Sequence, residues 1–272
     1  MTPWITKPVP FNIGQGAAAA GAAAGCSTYP DSETTNVEGT SDGVAIATSD
    51  MLFGDGMCQF DGSDDKIDNA NLPPYIRSSS TGSIAFWFRP SGAQPHGMYM
   101  INMSQLNTSE YLRINFDQSN EKVYTNCVIG GTNQWEFNSG SETADFGTWN
   151  HIAIVQDGTA IKAYFNGGAM TQPVTTDNTA WWTSNMDLFT MGAGEHSDPG
   201  RGYEDFYYGA IQDLCIWNSA ISSELVSYIY NSGTGRMISQ ICPTYNTDGI
   251  IAYYKCQSLD GTTLLNDATP VS

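Results

Sequence analysis

Short runs of β-branched and aromatic residues recur every 10 to 15 residues and are separated by Gly, Asn, Asp and Ser. Such runs predict strands, and Ile84, Phe86 and Phe88 alternate with residues that face the other side. Because no helices intervene, we expect antiparallel sheets packed as a jelly-roll sandwich. The predicted strand runs are 44–47, 57–62, 83–90, 98–104, 111–117, 122–130, 133–138, 149–156, 161–168, 186–192 and 207–218.

One segment has helical spacing. Ser222 and Ser223 precede Glu224, and apolar residues then recur at helical intervals until Gly233. Ser is a favoured residue at helix starts and Gly at helix ends. The sequence therefore predicts an all-β fold with one short helix that closes an end of the sandwich.

The charge balance excludes several classes of partner. Lys and Arg number 10 against 28 Asp and Glu, which gives a net charge of −18. A strongly negative chain repels phosphate backbones and anionic lipids, so we expect neither nucleic-acid nor membrane partners. Only 14% of the residues are charged, and this neutral-polar composition is typical of extracellular or virion β proteins.

Residues 1–43 differ in composition from the rest and contain the run GQGAAAAGAAAG at 14–25. A secretory signal, a flexible linker and a docking arm all fit such a segment. Small side chains let two backbones approach closely, which favours an extended arm packed on a neighbouring subunit. We therefore predict an arm over 1–43, a sandwich over 44–235 and a C-terminal extension with a terminal strand over 236–272.

The six cysteines show no metal-binding spacing. Cys58, Cys127 and Cys215 lie in apolar runs and are expected as buried thiols. Cys242 and Cys256 flank a short loop and are a possible disulfide pair.

Three segments together resemble the laminin-G-like, concanavalin-A-like jelly rolls, and among these the pentraxins. No single segment is specific, but all three occur in the family's order over roughly residues 44 to 235. The resemblance implies the fold more strongly than a ligand, because this fold serves many functions. The segments are FDG (60–62) with GSIAFWFRP (82–90); WNHIAI (149–154), DG (157–158) and KAYFNG (162–167); and YGAIQDLCIWN (208–218), AISSE (220–224) and IY (229–230).

The resemblance also implies a possible calcium site. Glu195 and Asp198 lie on a segment that resembles the acidic calcium loop of pentraxins, and Asp213 or Asp61 are further candidate ligands. Carboxylate oxygens suit calcium. The match is incomplete, because Asn107-Thr108-Ser109 replaces an acidic–amide pair of the family. A solvated acidic loop is the alternative interpretation.

Aromatic residues near polar ones suggest a sugar site. Sugars stack on aromatic rings while their hydroxyl groups need directional partners. Trp181 and Trp182 lie in a polar loop, and Tyr203 and Tyr207 lie near the acidic loop. The alternative is that one indole closes the core while the other contacts a neighbouring subunit.

The sequence contains neither of two common catalytic motifs, the glycosidase motif E-x-D-x-x-E and the metalloprotease motif H-E-x-x-H. His151 lies in an alternating strand and is expected to be a hydrogen-bonded structural residue. We therefore expect a non-enzymatic binding module. The favoured role is a virion surface protein, such as a capsid decoration or a fibre component, that forms homo-oligomers or binds virion proteins through its arm and binds host glycans. A secreted calcium-dependent lectin or adhesin is the alternative.

Overall fold

Two antiparallel β-sheets pack face to face in the computed structural model of this chain. The structure describes residues 38–92, 97–104, 110–182, 185–195, 203–238 and 249–264. Within these ranges the fold is an all-β jelly-roll sandwich, which confirms the fold class predicted from the alternating runs.

The first sheet has ten strands in the described residues, in the order β13-β9-β8-β7-β6-β14-β4-β1-β20-β19. Strands are numbered in chain order. Those of the first sheet are β1 (Gly39–Asp42), β4 (Lys66–Asn69), β6 (Met98–Ser104), β7 (Tyr111–Asp117), β8 (Lys122–Ile129), β9 (Thr132–Asn138), β13 (Thr171–Thr175), β14 (Leu188–Met191), β19 (Leu259–Asp260) and β20 (Thr263–Leu264).

The second sheet runs β12-β11-β10-β5-β17-β3-β2, and β18 also pairs with β17. Its strands are β2 (Ala45–Ala47), β3 (Met57–Asp61), β5 (Gly82–Pro90), β10 (Asn150–Gln156), β11 (Ile161–Phe165), β12 (Gly168–Ala169), β17 (Tyr208–Trp217) and β18 (Ile250–Tyr254). A separate two-stranded ribbon joins β15 (Gly194–Glu195) to β16 (Tyr203–Glu204). The turn between β11 and β12 holds Asn166 and Gly167 at φ 48° and 76°, the conformation that Asn-Gly hairpins favour.

Two short helices are present in the described ranges, one more than predicted. The predicted helix is α2 (Ser223–Tyr230), whose first turn is capped by the Ser222 side chain at Leu225 N–H, 3.2 Å away. The additional helix, α1 (Pro73–Ile76), is a single turn that starts at a proline.

The main core lies between the two sheets. Ile84, Phe86 and Phe88 of β5 are fully buried there, as their alternation predicts. A second apolar layer covers the outer face of the second sheet, where Leu225, Val226 and Ile229 of α2 pack on that sheet. The central strands β5, β10 and β17 of the second sheet are therefore buried on both faces.

Both ends of the described chain join the sandwich. Strand β1 precedes the predicted boundary at residue 44 and pairs with β4 and β20. In the predicted C-terminal extension, β18 pairs with β17, so this segment completes a sheet of its own chain. Residues 1–37, most of the predicted arm, lie outside the described residues.

Candidate functional site

The two outer faces of the sandwich differ. Helix α2 covers part of the second sheet, whereas the outer face of the first sheet carries a polar and aromatic cleft. The cleft encloses about 270 Å³, close to the lower end of small-ligand pockets. We call it the tyrosine cleft, and eight residues line it: Tyr99, Tyr111, Arg113, Asn115, Asp117, Tyr124, Asn126 and Glu136.

Strand alternation builds this cleft. In β7, Leu112, Ile114 and Phe116 are buried, and the residues between them are half-buried on the opposite face. The same alternation in β8 and β9 turns their polar and aromatic residues to that face.

Strand register aligns the outward residues in rows. In one row Arg113 stands opposite Asn102 on one neighbour and Asn126 on the other. In the adjacent row Asn115 stands between Tyr99 and Tyr124. Because side chains directly opposite each other lie about 5 Å apart, the first row presents charged and amide groups side by side and the second presents aromatic and amide groups.

Arg113 organises the middle of the cleft. Its guanidinium carbon lies 3.8 Å from the centre of the Tyr111 ring and 4.9 Å from that of the Tyr99 ring. Its Nε donates to Asn102 Oδ1 at 3.0 Å, and Nη1 donates to the Tyr99 hydroxyl at 3.3 Å. Asn102 is fully buried and in turn donates to Ser104 Oγ. These contacts hold the guanidinium and the two rings in one arrangement.

Tyr99 connects the cleft to the segment predicted as the acidic loop. Its backbone N–H donates to Asp205 O at 3.0 Å, and a Cβ added to Gly194 would lie 2.3 Å from its ring. Burial raises the pKa of Tyr99, and the adjacent Arg113 charge partly offsets this effect. The hydroxyl is therefore neutral at physiological pH and can donate a hydrogen bond.

Two amides in the cleft are open to a ligand. The side chains of Asn115 and Asn126 line the cleft but make no hydrogen bond within the part of the chain that the structure describes. Each amide offers two donor hydrogens and one acceptor oxygen. Both are half-buried, so their polar groups remain available to solvent or to a bound polar molecule.

Most of the aromatic residues predicted for a sugar site lie elsewhere. Tyr207 is fully buried against Phe60, and Trp181 is 4% exposed within the main core. Trp182 is half-buried and packs edge-on to Trp181, with ring centres 6.0 Å apart. Tyr207 and Trp181 therefore present no ring face to a ligand, because the core uses their apolar surface. This corrects the prediction for these two residues.

The predicted calcium ligands are only partly brought together. Glu195 pairs with Tyr203 through the backbone in the β15–β16 ribbon, next to the tyrosine cleft. Asp198 lies outside the described residues.

Asp213 has a structural environment that differs from the predicted metal site. It is 2% exposed with φ 56°, at the bulge where β17 changes partner from β3 to β18. Its carboxylate accepts hydrogen bonds from the Tyr253 hydroxyl and from the Ile238 backbone N–H. These contacts fasten the segment after α2 and strand β18 to β17. Asp213 is thus a buried anchor, which corrects its prediction as a calcium ligand.

The predicted ligand Asp61 lies close to two other carboxylates, at the end of β3 and in the turn that leads to β4. Ligand oxygens of Asp61, Asp64 and Asp65 all lie within 4.8 Å of one another. Burial and then repulsion from Asp61, Asp64 and Asp42 raise the pKa of Asp65, although a hydrogen bond from Asp61 N–H opposes this. Asp61 and Asp64 are exposed, whereas Asp65 is buried.

His151 is buried, but its surroundings differ from the prediction. Both ring nitrogens lack a hydrogen-bond partner among the described residues, as does the Trp87 Nε1 beside it. The two rings lie 5.0 Å apart, and Tyr230 of α2 stacks on Trp87. Burial lowers the pKa of His151 to about 3, so the ring is neutral. The side chains that contact the His151 ring are those of Trp87 and Tyr230, and neither is a hydroxyl or thiol nucleophile held by a ring nitrogen.

No helix among the described residues has the length and apolar character needed to span a bilayer. No curated protein sequence matches the chain.

Solved structures share the fold at low sequence identity. A full-length tailspike protein 2 from Escherichia coli O157:H7 bacteriophage CAB120 matches with a TM-score of 0.55 and 14% identity over 83% of this chain and 30% of that one. The receptor binding domain of botulinum neurotoxin mosaic serotype C/D matches with a TM-score of 0.54 and 15% identity, covering 76% and 50%. Ruminococcus gnavus IT-sialidase CBM40 matches with a TM-score of 0.53 and 12% identity, covering 68% and 100%. This chain therefore spans half or less of the tailspike and toxin chains.

These structures are at most 15% identical to the chain and show its fold, whereas a family model also assigns its family. The Laminin_G_3 model, described as the concanavalin A-like lectin/glucanases superfamily, matches residues 61–227, more than half of the chain. The matched range includes β5, β10 and β17, whose residues carry the laminin-G-like resemblance, and the whole tyrosine cleft. The chain belongs to the concanavalin A-like lectin/glucanases superfamily.

Proposed function

We propose that this chain is a non-enzymatic glycan-binding module and that the tyrosine cleft is its binding site. The observation that carries the proposal is the arrangement of tyrosine rings, a stacked guanidinium and two amides without internal partners in one cleft. Rings bind the apolar faces of sugars, and amides satisfy their hydroxyl groups.

The charges of the cleft favour a neutral sugar. Asp117 and Glu136 line the cleft together with one cation, Arg113, and the whole chain carries a charge of −18. An anionic glycan would be repelled by this field, whereas a neutral sugar would not. Carboxylates are also good acceptors for sugar hydroxyl groups.

The spacing of the two carboxylates argues against hydrolysis. Glu136 and Asp117 are separated by two strand spacings, with β8 between them, and by four residues along β7, which corresponds to about 17 Å between their Cα atoms. Paired glycosidase carboxyl groups lie about 5 to 9.5 Å apart. The Asp117 carboxylate also accepts hydrogen bonds from Ser119, which hold it toward the turn after β7.

The experiment is a screen of neutral and acidic glycans against the full chain, followed by calorimetry on those that bind. Substitution Tyr111→Ala should weaken binding about tenfold, because it removes a ring and the contact that holds Arg113. Tyr75, which is 48% exposed and outside the cleft, provides the matched control in Tyr75→Ala. Equal affinities of the two variants would contradict the proposed site.

We also propose that the module works on the surface of a virion, with a secreted lectin as the alternative. A tailspike and a toxin receptor binding domain share this fold, and both names describe proteins that meet a host surface. Light scattering on the full chain and on a variant that lacks residues 1–37 tests assembly. A monomeric full chain would contradict the predicted role of the arm.

Calcium binding at the loop of Glu195 and Asp198 remains a prediction. Calcium titration by calorimetry, with Glu195→Gln as the comparison, tests it directly. A ligand role predicts that the variant loses calcium heat, whereas unchanged heat would exclude that role.

A further inference from the structure

The thiols of Cys58 and Cys256 lie against each other between the two sheets. Burial and the neighbouring Cys58 thiol raise the pKa of the Cys256 thiol, and the Cys58 backbone N–H beside the same sulfur opposes this effect. Cys58 is 0% exposed and Cys256 1% exposed, and both are free thiols in this structure. The contact links β3 near the start of the sandwich to the residues that follow β18.

The backbone around the two cysteines supports a close approach. A Cβ added to Gly56 would lie 2.9 Å from the carbonyl oxygen of Gln257, so the two chain segments run side by side. Cys256 itself has φ 60°, a left-handed conformation that residues other than Gly, Asn and Asp rarely adopt. The chain therefore holds a strained cysteine where its thiol meets a second thiol.

We propose that Cys58 and Cys256 form a disulfide bond when the chain folds in an oxidising compartment. The two thiols lose two protons and two electrons as the S–S bond forms. A disulfide oxidant such as oxidised glutathione accepts them and becomes two molecules of reduced glutathione. Because both sulfurs are buried in the native fold, this exchange takes place during folding, before the sheets close over them.

The other cysteines in the described ranges have different neighbours. The Cys127 thiol contacts the Trp181 carbonyl oxygen at 3.5 Å, and Cys215 packs in the layer under α2. Cys242, which the sequence suggested as a partner of Cys256, lies outside the described residues. The proposal is independent of glycan binding.

Peptide mapping of the full chain tests the disulfide. The protein is refolded in a buffer of oxidised and reduced glutathione, alkylated in denaturant and digested with trypsin and Glu-C. This digestion releases residues 39–66 and 256–272, each with a single cysteine. We expect a linked pair of these peptides that disappears on reduction. Alkylated Cys58 and Cys256, or a link from Cys256 to Cys242, would overturn the proposal.

Thermal unfolding provides a second measurement. A disulfide between Cys58 and Cys256 would close a long loop and so restrict the unfolded chain, which stabilises the fold. Reduction should therefore lower the melting temperature of the oxidised protein by about 10 °C. Cys215→Ser keeps the pair and should show the same shift, whereas Cys58→Ser should show none. Equal shifts in Cys58→Ser and the unsubstituted protein would also overturn the disulfide.

Discussion

The guanidinium of Arg113 stacks on the Tyr111 ring, with 3.8 Å between the guanidinium carbon and the ring centre. A planar guanidinium can stack and donate in its own plane at the same time, which an ammonium group cannot do. The donors to Asn102 and Tyr99 lie in this plane. The Tyr111 ring is thus fixed by its neighbour before any ligand arrives, and this preorganisation lowers the entropic cost of binding.

Arg113→Lys should therefore weaken glycan binding about tenfold while the net charge stays the same. The lysine retains the charge but loses the stacking plane and the paired donors. Calorimetry with the glycan found in the screen measures the change. Arg77→Lys, an exposed position outside the cleft, is the control. Unchanged affinity in Arg113→Lys would show that the stacked geometry does not matter for binding.

Gly194→Ala should disturb the cleft from outside it. The new methyl group would lie 2.3 Å from Tyr99 Cδ2, so the ring must move and its hydrogen bond with Arg113 must break or lengthen. We expect affinity to fall several-fold. At Gly97, a Cβ would meet nothing within 4 Å, so Gly97→Ala is the matched control just before β6. Identical binding by both alanine variants would mean that the Tyr99 position is unimportant.

Asp213→Asn should destabilise the fold by about 2 to 3 kcal/mol, because the amide cannot accept from both donors that face the carboxylate. Urea unfolding with and without calcium measures this. The loss should be the same in both conditions, since the contacts are internal. The exposed Asp187→Asn is the control. A loss seen only with calcium present would restore Asp213 as a ligand.

Stability should fall in acid partly because of His151. Its pKa is about 3 in the folded state and about 6.5 in the unfolded chain, so the unfolded state binds the proton first as the pH drops. The contribution is fully present above pH 6.5 and is lost progressively toward pH 3, to a total of about 5 kcal/mol. His151→Leu should flatten the pH dependence of the urea midpoint over this range. Parallel curves for the two proteins would contradict this account.

The sequence predicts strands well where alternation is strong. Ile84, Phe86 and Phe88 face the main core as expected, because alternate residues of a strand share one face and this face of β5 packs against the first sheet. Strand β4 is absent from the predicted runs, because its four residues KIDN follow Asp64 and Asp65 and are mostly polar. Burial of Ile67 and the hydrogen bond from Asn69 to the Tyr254 hydroxyl, 185 residues away, hold it in the sheet. Local composition carries no information about such a partner.

The tyrosine cleft was also missed, although its signal is visible in the sequence. Tyr111, Arg113, Asn115 and Asp117 alternate with buried residues in β7. Alternation shows that these side chains share a face but not whether another element covers it. In the second sheet, α2 packs over the corresponding outer face. Which face of a sheet stays exposed thus depends on tertiary packing. The sequence analysis instead predicted a sugar site at Trp181 and Tyr207, which are buried in the core.

The pairing of β1 with β20 brings Gly39 opposite Leu264 in the ten-stranded sheet. The first and last strands of the described chain therefore lie at one flank of this sheet, four and five strand positions, or about 19 and 24 Å, from β7. A carrier joined directly at residue 38 or residue 264 would hold the module by the same side. Attachment at these two positions leaves the opposite flank of the first sheet facing away from the carrier, so it should not block the tyrosine cleft.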